Sequence, residues 1–539
     1  MNKLSDTPSG TVIAVVDPKD ADASIGSQPL PGTQKALKEF VSRRHPHYVR
    51  LETHWDFLES TYEGGREWFK KNIFRYIKEG DTEFGERIER CYRFNHTREV
   101  VDLVNKYLFK QQVARKDDAP EYLKSFWEKA TKDGESIDEL VRQISKKTSI
   151  HGRVAIVVDS NAVEGEVLSV AEARRSDKRL YAYIVGPKQI LDYSFGESGE
   201  LNWILLSEYG RDDEDPFTSS GEEIMRWRLW DKNSWWLFEE VVISKRKREI
   251  RMVDSGDHNL GIVPVVLADN INSEDRYHCA ALIDDIAYLD RAVANYLSNL
   301  DAIIQDQTFS QLAMPAQNVM PGEDDYTKML EMGTKRVFLY DGEGGAQPFY
   351  LSPDPKQAAL IIDAIAKIIN EIYHTVGLAG ERTKQDNSVG IDNSSGVAKA
   401  YDFERVNALL AAKADALELT ENKIAKVVAA WNDAAEDDDF VHYADDFDTR
   451  GLYDEFDISA KLSLVQAPPE VRREQMKMLV KKLFPQASKA MLAKVEGELK
   501  EWPVDPVELA QNSLKAAALD NKSSQGAVSS KPVEPGSSN

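Results

Sequence analysis

The sequence predicts an α+β protein that is mainly helical and contains one separate β-rich segment. Hydrophobic residues recur at steps of three and four through 277–306, 355–376 and 397–431, which is typical of helices. Between 153 and 253, short β-branched and aromatic runs alternate with turn residues, which is typical of antiparallel strands. The chain has 539 residues, of which 42% are hydrophobic, so more than one core is expected.

The N-terminal part is predicted to be a flexible arm followed by helices. Residues 1–40 are rich in Pro, Gly, Ser, Asp and Thr, which favours a flexible segment. Helical patterns follow from Pro46 to about Arg115 and from 119 to 150, and Pro46 is expected to keep His45 and His47 in an extended segment. Aromatic residues recur at helical spacing and are expected in the core: Trp55, Phe57, Tyr62, Trp68, Phe69, Phe74, Tyr76, Phe84, Tyr92 and Phe94.

The β-rich segment follows at 150–265. Its strand candidates are 153–161, 179–195, 201–210, 224–240 and 241–253. Asp231, Lys232 and Asn233 separate two strand-like runs and predict a hairpin turn. An extended segment, 258–270, ends this part.

Two predicted helical rods come next. The first lies within 277–306, where about 24 helical residues would make a rod roughly 36 Å long, and it places Leu282, Ile286, Leu289, Val293 and Leu300 on one face. The second, 355–376, carries Ile361, Ile365, Ile368 and Ile372. Residues 307–354 form a small insert with predicted strands at 335–340 and 347–351.

A polar loop, 377–396, joins the second rod to a helix predicted from Val397 to Trp431, roughly 50 Å long. A loop of that length inside a compact domain is functional or disordered, and both readings stay open at this point. Acidic residues dominate 432–457, helices are predicted within 461–502, and the tail from 512 is Ser-, Lys-, Ala- and Pro-rich. The run 446–457 has calcium-loop spacing, but Arg450 occupies a ligand position, so a solvated acidic face is favoured.

Composition and motifs exclude several classes of function. The net charge of −23 argues against simple electrostatic capture of nucleic acid. Two distant cysteines suit a reducing cytoplasm, and neither a signal peptide nor a membrane span is expected. The sequence lacks a P-loop, HExxH, CxxC and GxSxG. It therefore predicts no catalytic residues, no metal and no cofactor.

The order of these parts resembles the portal proteins of tailed bacteriophages, over about residues 44 to 510. The likeness lies in RHPHYVRLETHWDFLESTYEGG (44–65), HNLGIVPVVLADN (258–270), IDDIAYLDRAVANYLSNLDAI (283–303) and NSSGVAKAYDFERVNALLAAKADALE (393–418). The resemblance implies a wing (41–275 with 397–457), a stem (276–306 and 355–376), a clip (307–354), a tunnel loop (377–396) and a crown (458–511). The arm (1–40) and the tail (512–539) flank them.

The resemblance further implies a virion protein, assembled in the host cytoplasm, that forms a ring of about twelve copies at one capsid vertex. Double-stranded DNA would pass through the ring, whose partners would be the large terminase, a head-tail adaptor, and the major capsid and scaffolding proteins. The stem residues named above would pack between copies. Residues expected to line the tunnel are Thr383, Lys384, Gln385, Asn387, Ser388, Asn393 and Ser394. Residues expected to meet terminase and adaptor are Tyr326, Lys328, Lys335, Arg336 and Glu343.

Two other readings of the sequence stay open. The chain could be another virion structural protein, such as a connector or tail-hub component. It could also be a multidomain cytosolic enzyme whose active site has no motif visible in the sequence.

Overall fold

The computed structural model describes the chain in part. The described residues are 24–25, 28–29, 33–77, 79–160, 179–213, 215–244, 247–308, 311–315, 337–340, 347–351, 355–378, 396–434, 439–444, 447, 468–483 and 489–500. The chain divides into two compact units, Met1–Phe447 and Asp448–Asn539.

The predicted α+β class is confirmed. The described helices are α1 Gln34–Val41, α2 Pro46–Glu63, α3 Arg66–Asn72, α4 Asp81–Arg90, α5 His96–Leu108, α6 Glu121–Glu128, α7 Ile137–His151, α8 Ile286–Thr308, α9 Pro355–Thr375, α10 Gly396–Trp431, α11 Pro469–Leu483 and α12 Lys489–Leu499. The described strands are β1 Ser24–Ile25, β2 Gln28–Pro29, β3 Ala114–Arg115, β4 Arg153–Ser160, β5 Leu180–Val185, β6 Ile190–Phe195, β7 Leu201–Arg211, β8 Glu223–Asp231, β9 Ser234–Ser244, β10 Lys247–Asp257, β11 Val265–Asp269, β12 Gln311–Pro315, β13 Val337–Tyr340, β14 Phe349–Leu351 and β15 Val441–His442. Helices α11 and α12 belong to the second unit and the other elements to the first.

The strands of the first unit form small, mostly antiparallel sheets. Strands β6 to β10 make a meander in the order β10-β9-β8-β7-β6, and the predicted hairpin turn at Asp231–Asn233 joins β8 to β9. A second sheet has the order β11-β4-β5 and a third has the order β13-β12-β14. In the third sheet, β12 pairs with β13 in parallel.

One continuous core joins the helices to the β11-β4-β5 sheet. Val154 to Val158 of β4 are all buried there, together with residues of α5, α7, α8, α9 and α10. The five-stranded sheet has its own core, which α1 covers. The side-chain amide of Gln34 in α1 donates to Ile250 O at 2.8 Å and accepts from Ile250 N at 3.2 Å. It thus satisfies the backbone hydrogen-bonding groups of Ile250 on the edge strand β10, as a neighbouring strand would.

Several sequence expectations are wrong in detail. The expected flexible arm ends in a helix, α1, and Pro46 starts α2 at its first helical position instead of extending the chain. Four aromatic residues expected in the core are exposed: Phe74, Tyr76, Tyr92 and Phe94. Strand β12 was not predicted, although it is the central strand of the insert's sheet.

The first rod begins nine residues later than the pattern predicts, at Ile286. The preceding segment bonds to the end of α7, because Leu282 N donates to Ser149 O at 3.0 Å. The Asp284 carboxylate accepts from Ala281 N at 2.9 Å and fixes the turn before the helix. Leu282 therefore lies outside the helix, although its side chain packs against the same core.

Candidate functional site

The predicted stem residues all pack against the core of their own chain. Ile286, Val293, Leu300, Ile365 and Ile372 are buried in it. The other four, Leu282, Leu289, Ile361 and Ile368, are partly buried against it. Their predicted role in contacts between copies of the chain stays a prediction.

Helices α8 and α9 also leave large apolar side chains uncovered. Leu360 is 70% exposed and Ile362 is 53% exposed on α9, and Ile304 of α8 is about half exposed. Tyr288 and Tyr296 of α8 are exposed as well. Apolar side chains of this kind mark an interface where they form one contiguous patch, whereas single exposed apolar side chains are common on protein surfaces.

A buried ion pair anchors α8 to the helical part of the unit. The Arg93 guanidinium lies 3.6 Å from the Asp290 carboxylate and 3.9 Å from the centre of the Trp68 ring. Thr97 donates to the same carboxylate through its hydroxyl at 2.8 Å and its backbone N–H at 3.2 Å. Burial raises the pKa of Asp290, while the Arg93 charge and the Thr97 hydrogen bonds act in the opposite direction.

Helix α9 is anchored at its C-terminal end. The Tyr373 hydroxyl donates to Glu99 at 2.5 Å, and His96 Nδ1 lies 3.1 Å from that hydroxyl. After α9, Gly377 adopts a φ of +75°, and Leu378 N donates back to Tyr373 O at 2.8 Å. The polar loop therefore leaves α9 from a fixed position.

Helix α10 contacts the end of α9 more than two turns after its own start. Arg405 Nη1 lies 3.1 Å from His374 Nε2, which joins the last turn of α9 to α10. The predicted tunnel-lining residues, Thr383 to Ser394, lie outside the described residues. The helices on either side of the loop, α9 and α10, belong to the same compact unit.

Polar side chains buried deep in the unit hold α10 in place. Lys413 Nζ donates to Asn270 Oδ1 at 2.5 Å and to Ser149 Oγ at 3.0 Å, and burial lowers the pKa of this lysine to about 7. Further along, Glu421 accepts from Arg115 at 2.7 Å and from the Tyr443 hydroxyl at 2.9 Å. Sequence reasoning missed Lys413; the available signal was a single lysine within the apolar run ALLAAKADAL (408–417).

The insert between α8 and α9 is described only by its three strands. The residues expected to meet terminase and adaptor, Tyr326, Lys328, Lys335, Arg336 and Glu343, lie outside the described residues. Their role stays a prediction.

A cleft of about 940 Å³ lies among α2, α7 and the segment from β5 to β6. Lys188 spans it and binds Asp56 and Glu59, each at 2.8 Å. Five cationic and five carboxylate side chains line it, so it offers no excess charge to an ionic ligand: Arg44, Lys132, Lys146, Lys147, Lys188, Glu52, Asp56, Glu59, Asp133 and Glu135. Burial lowers the pKa of His151, at one wall, to about 4, so this imidazole is neutral at pH 7.

The described part of the chain contains neither a candidate metal site nor a helix that could span a membrane. No group of three or more His, Cys, Asp or Glu side chains there is arranged to hold a metal ion. None of the described helices combines the length and the apolar content that crossing a membrane requires.

Comparison with known proteins gives matches among solved structures alone. No protein-family model matches the sequence, and no curated protein matches it. The chain is similar to one in the neck of an empty gene transfer agent (GTA) particle computed with C6 symmetry, with 12% identity and a TM-score of 0.37 over 69% of this chain and 86% of that chain. It is also similar to a chain in the virion of a native gene transfer agent particle, with 10% identity and a TM-score of 0.37 over 74% of this chain and 92% of that chain.

Proposed function

We propose that this chain is a tailed-phage portal protein, a ring-forming conduit for double-stranded DNA during packaging and ejection. The observation that carries the proposal is the order of parts in the first unit. A 23-residue helix, a small three-stranded insert, a 21-residue helix and a 36-residue helix follow one another. The polar loop lies between the last two helices, and hydrogen bonds fix the end at which it leaves the 21-residue helix.

Exposed apolar groups on the helix pair support ring formation. Because Leu360 and Ile362 are already partly covered, burying the rest of each side chain against a neighbouring copy would contribute about 1–2 kcal/mol. A contact between two different faces of identical chains repeats around an axis, and it closes into a ring when the rotation from one copy to the next divides a full turn. About twelve copies in the ring is our proposal.

The charge of the chain suits a conduit better than a binding protein. A ring of about twelve copies at −23 each carries on the order of −280 charges before counterions. An acidic wall repels a polyanion, so DNA slides through, whereas each phosphate contact with a basic wall would add a salt-dependent hold on the DNA.

In this proposal, the polar loop, the insert and the outer surface each have a separate role. Thr383, Lys384, Gln385, Asn387, Ser388, Asn393 and Ser394 line the narrowest part of the channel. The insert meets the large terminase first and the head-tail adaptor later, and the terminase supplies the energy for transport. The outer surface meets the major capsid and scaffolding proteins in the virion.

Deletion of residues 381–394 tests the role of the polar loop. The deletion spares ring assembly and impairs packaging or retention of DNA, measured as the DNA content of purified particles. A variant with the same segment replaced by Gly and Ser at equal length is the matched control and should retain more DNA. Unchanged DNA content in the deletion variant would contradict the channel assignment.

A further inference from the structure

The five-stranded sheet ends in a strand whose outer edge has no neighbouring strand within the described part of the chain. This strand is β10, which pairs there with β9 alone. The Gln34 side chain satisfies the outward backbone groups of Ile250. Outward-facing groups alternate along a strand, so those of Met252 point to the same side. The stretch 252–257, about 20 Å long, therefore offers an edge on which a further strand could pair.

The chain enters the five-stranded sheet at this same edge. Helix α1 starts at β10, where Gln34 bonds to Ile250. After α1, His45 N donates to Leu191 O of β6 at 2.7 Å, and β6 is the opposite edge of the sheet. Helix α1 thus crosses one face of the sheet from β10 to β6. The residues that precede Gln34 consequently leave α1 beside the outer edge of β10.

The part of the chain that precedes α1 contains a strong strand pattern. Residues 1–23 lie outside the described residues. Within them, Val12–Val16 (VIAVV) are five consecutive apolar residues, of which four are β-branched. Gly10 on one side and Pro18 on the other bound the run, as turn residues bound a strand. A strand that is apolar at every position suits a site where both of its faces are covered.

The five-stranded sheet has apolar cores on both faces, which is what such a strand requires. On β8, Trp230 packs into the large core, whereas Trp227 and Leu229 pack into the core under α1. At the outer edge, Met252 packs against the core under α1, and Val253 is 41% exposed. An apolar strand beside β10 would therefore lie next to apolar side chains that have no strand neighbour on that side.

The connecting chain is long enough for the run to reach its own sheet edge. Sixteen residues, 18–33, separate the run and Asp17 from Gln34. Strands β1 and β2 bring Ser24 and Pro29 together as an antiparallel pair, so about ten of the sixteen residues remain to cover distance. Ten residues span up to roughly 33 Å, which exceeds the length of the stretch 252–257.

The tether also favours the edge of the same chain over that of another copy. A segment on a short tether is present at its own site at an effective concentration on the order of millimolar. A second copy would have to reach that concentration in solution to compete.

We propose that residues 12–17 add to the outer edge of β10 in the same chain, as a sixth strand that lies beside 252–257. The strand runs antiparallel to β10, since every pair in this sheet is antiparallel. It completes the backbone hydrogen bonds of the edge and prevents the sheet from pairing with a strand of another chain. This inference does not depend on the proposed ring.

Hydrogen exchange of the full-length chain tests the added strand. The double variant Ile13→Asp with Val15→Asp places two carboxylates in the run and prevents its docking. The outward-facing amides within 252–257 should then exchange at least about tenfold faster than in the unmodified chain. Ala21→Asp adds the same group outside the run and should leave exchange unchanged. Equal exchange in the double variant and the unmodified chain would overturn the inference.

A peptide with the sequence of residues 9–20, SGTVIAVVDPKD, tests whether the edge is occupied. The unmodified chain should bind this peptide at least about tenfold more weakly than the double variant, because its own segment fills the site. A peptide with the same two aspartate substitutions is the control and should bind neither protein. Equal binding of the first peptide to both proteins, or binding to neither, would contradict an edge filled by this segment.

Crosslinking identifies the chain that supplies the strand. The native Cys91 and Cys279 are buried, so Ala14→Cys with Ser255→Cys introduces the reactive thiols. A short bismaleimide should join them within one chain, which leaves the protein at monomer mass on a denaturing gel and gives a crosslinked peptide by mass spectrometry. The two single variants are controls and should give no such peptide. Covalent dimers in place of the internal crosslink would show that another copy supplies the strand and would overturn the inference.

Discussion

Arg93 and Asp290 form an ion pair with 3.6 Å between the guanidinium and the carboxylate, and both side chains are almost completely buried. Arg93 precedes α5, and Asp290 lies on α8, so the pair ties the first rod to the helical part of the unit. Burying two charges removes the hydration of both, and their mutual attraction compensates for that loss. Removing one partner therefore leaves the other charge buried without compensation. The position of the rod thus depends on this contact.

Asp290→Ala should lower the free energy of unfolding by about 3–5 kcal/mol, because it leaves the Arg93 charge buried without its partner. Asp301→Ala is the control on the same helix, since Asp301 is partly exposed and pairs with Arg90 at 3.6 Å. Its expected cost is below about 1 kcal/mol. Urea unfolding measures both, and equal losses would contradict the structural role of the pair.

Ile362→Asp and Ile365→Asp should have different effects, although they lie three residues apart on α9. Ile365 is buried in the core, so a carboxylate there should unfold the chain or greatly destabilise it. Ile362 is 53% exposed, so the chain carrying Ile362→Asp should fold normally and form fewer rings. Circular dichroism and native mass spectrometry separate the two effects. Normal rings from the Ile362→Asp chain would argue against this face as an interface between copies.

Lys413 should make stability depend on pH in the alkaline range. Its pKa falls from an ordinary 10.5 to about 7 on folding. Between these values the unfolded chain holds a proton that the folded chain has released, so stability rises with pH from about 7 to about 10.5 and is unaffected by this group below that range. The slope reaches at most about 1.4 kcal/mol per pH unit.

Lys413→Met removes this contribution, and its unfolding free energy should change less between pH 7.5 and 9.5 than that of the unmodified chain. Urea unfolding at the two pH values measures the difference. An identical pH dependence in both proteins would show that Lys413 keeps an ordinary pKa in the folded chain.

Gly377→Ala should destabilise the end of α9 by about 1–2 kcal/mol. Gly377 has a φ of +75°, and an added Cβ would lie 3.3 Å from the Cβ of Arg405 on α10. Gly85→Ala is the matched control, because Gly85 lies within α4 and an added Cβ meets nothing within 4 Å. That substitution should stabilise the chain by up to about 1 kcal/mol. A stabilising Gly377→Ala would contradict the fixed exit of the polar loop.

The helices that sequence reasoning placed best are those with long periodic patterns and clear end signals. The second rod was predicted at 355–376 and runs from Pro355 to Thr375, and the long helix was predicted from Val397 and begins at Gly396. A proline starts the first of these helices, and a glycine follows its end. The first rod was misplaced at its start because Leu282 and Ile286 keep helical spacing while the backbone at 282 bonds to Ser149 instead.

Features that depend on contacts between residues far apart in the chain could not be predicted from the sequence. Lys413 is buried because Ser149 and Asn270, which lie far from it in sequence, meet its ammonium group. Phe74 is exposed because Arg87 and Asn295 hold its backbone outward on α8. Periodicity predicts which face of a helix is apolar, but it does not show which polar groups will meet across the fold.

The most direct test of the central claim, that copies of this chain close into a ring around a channel, is electron microscopy of the purified full-length protein with native mass spectrometry of the same sample. We expect a closed ring of about twelve copies, with a central hole and the polar loop 377–396 facing it. A monomer or dimer, or a ring with that loop on its outer surface, would contradict the claim.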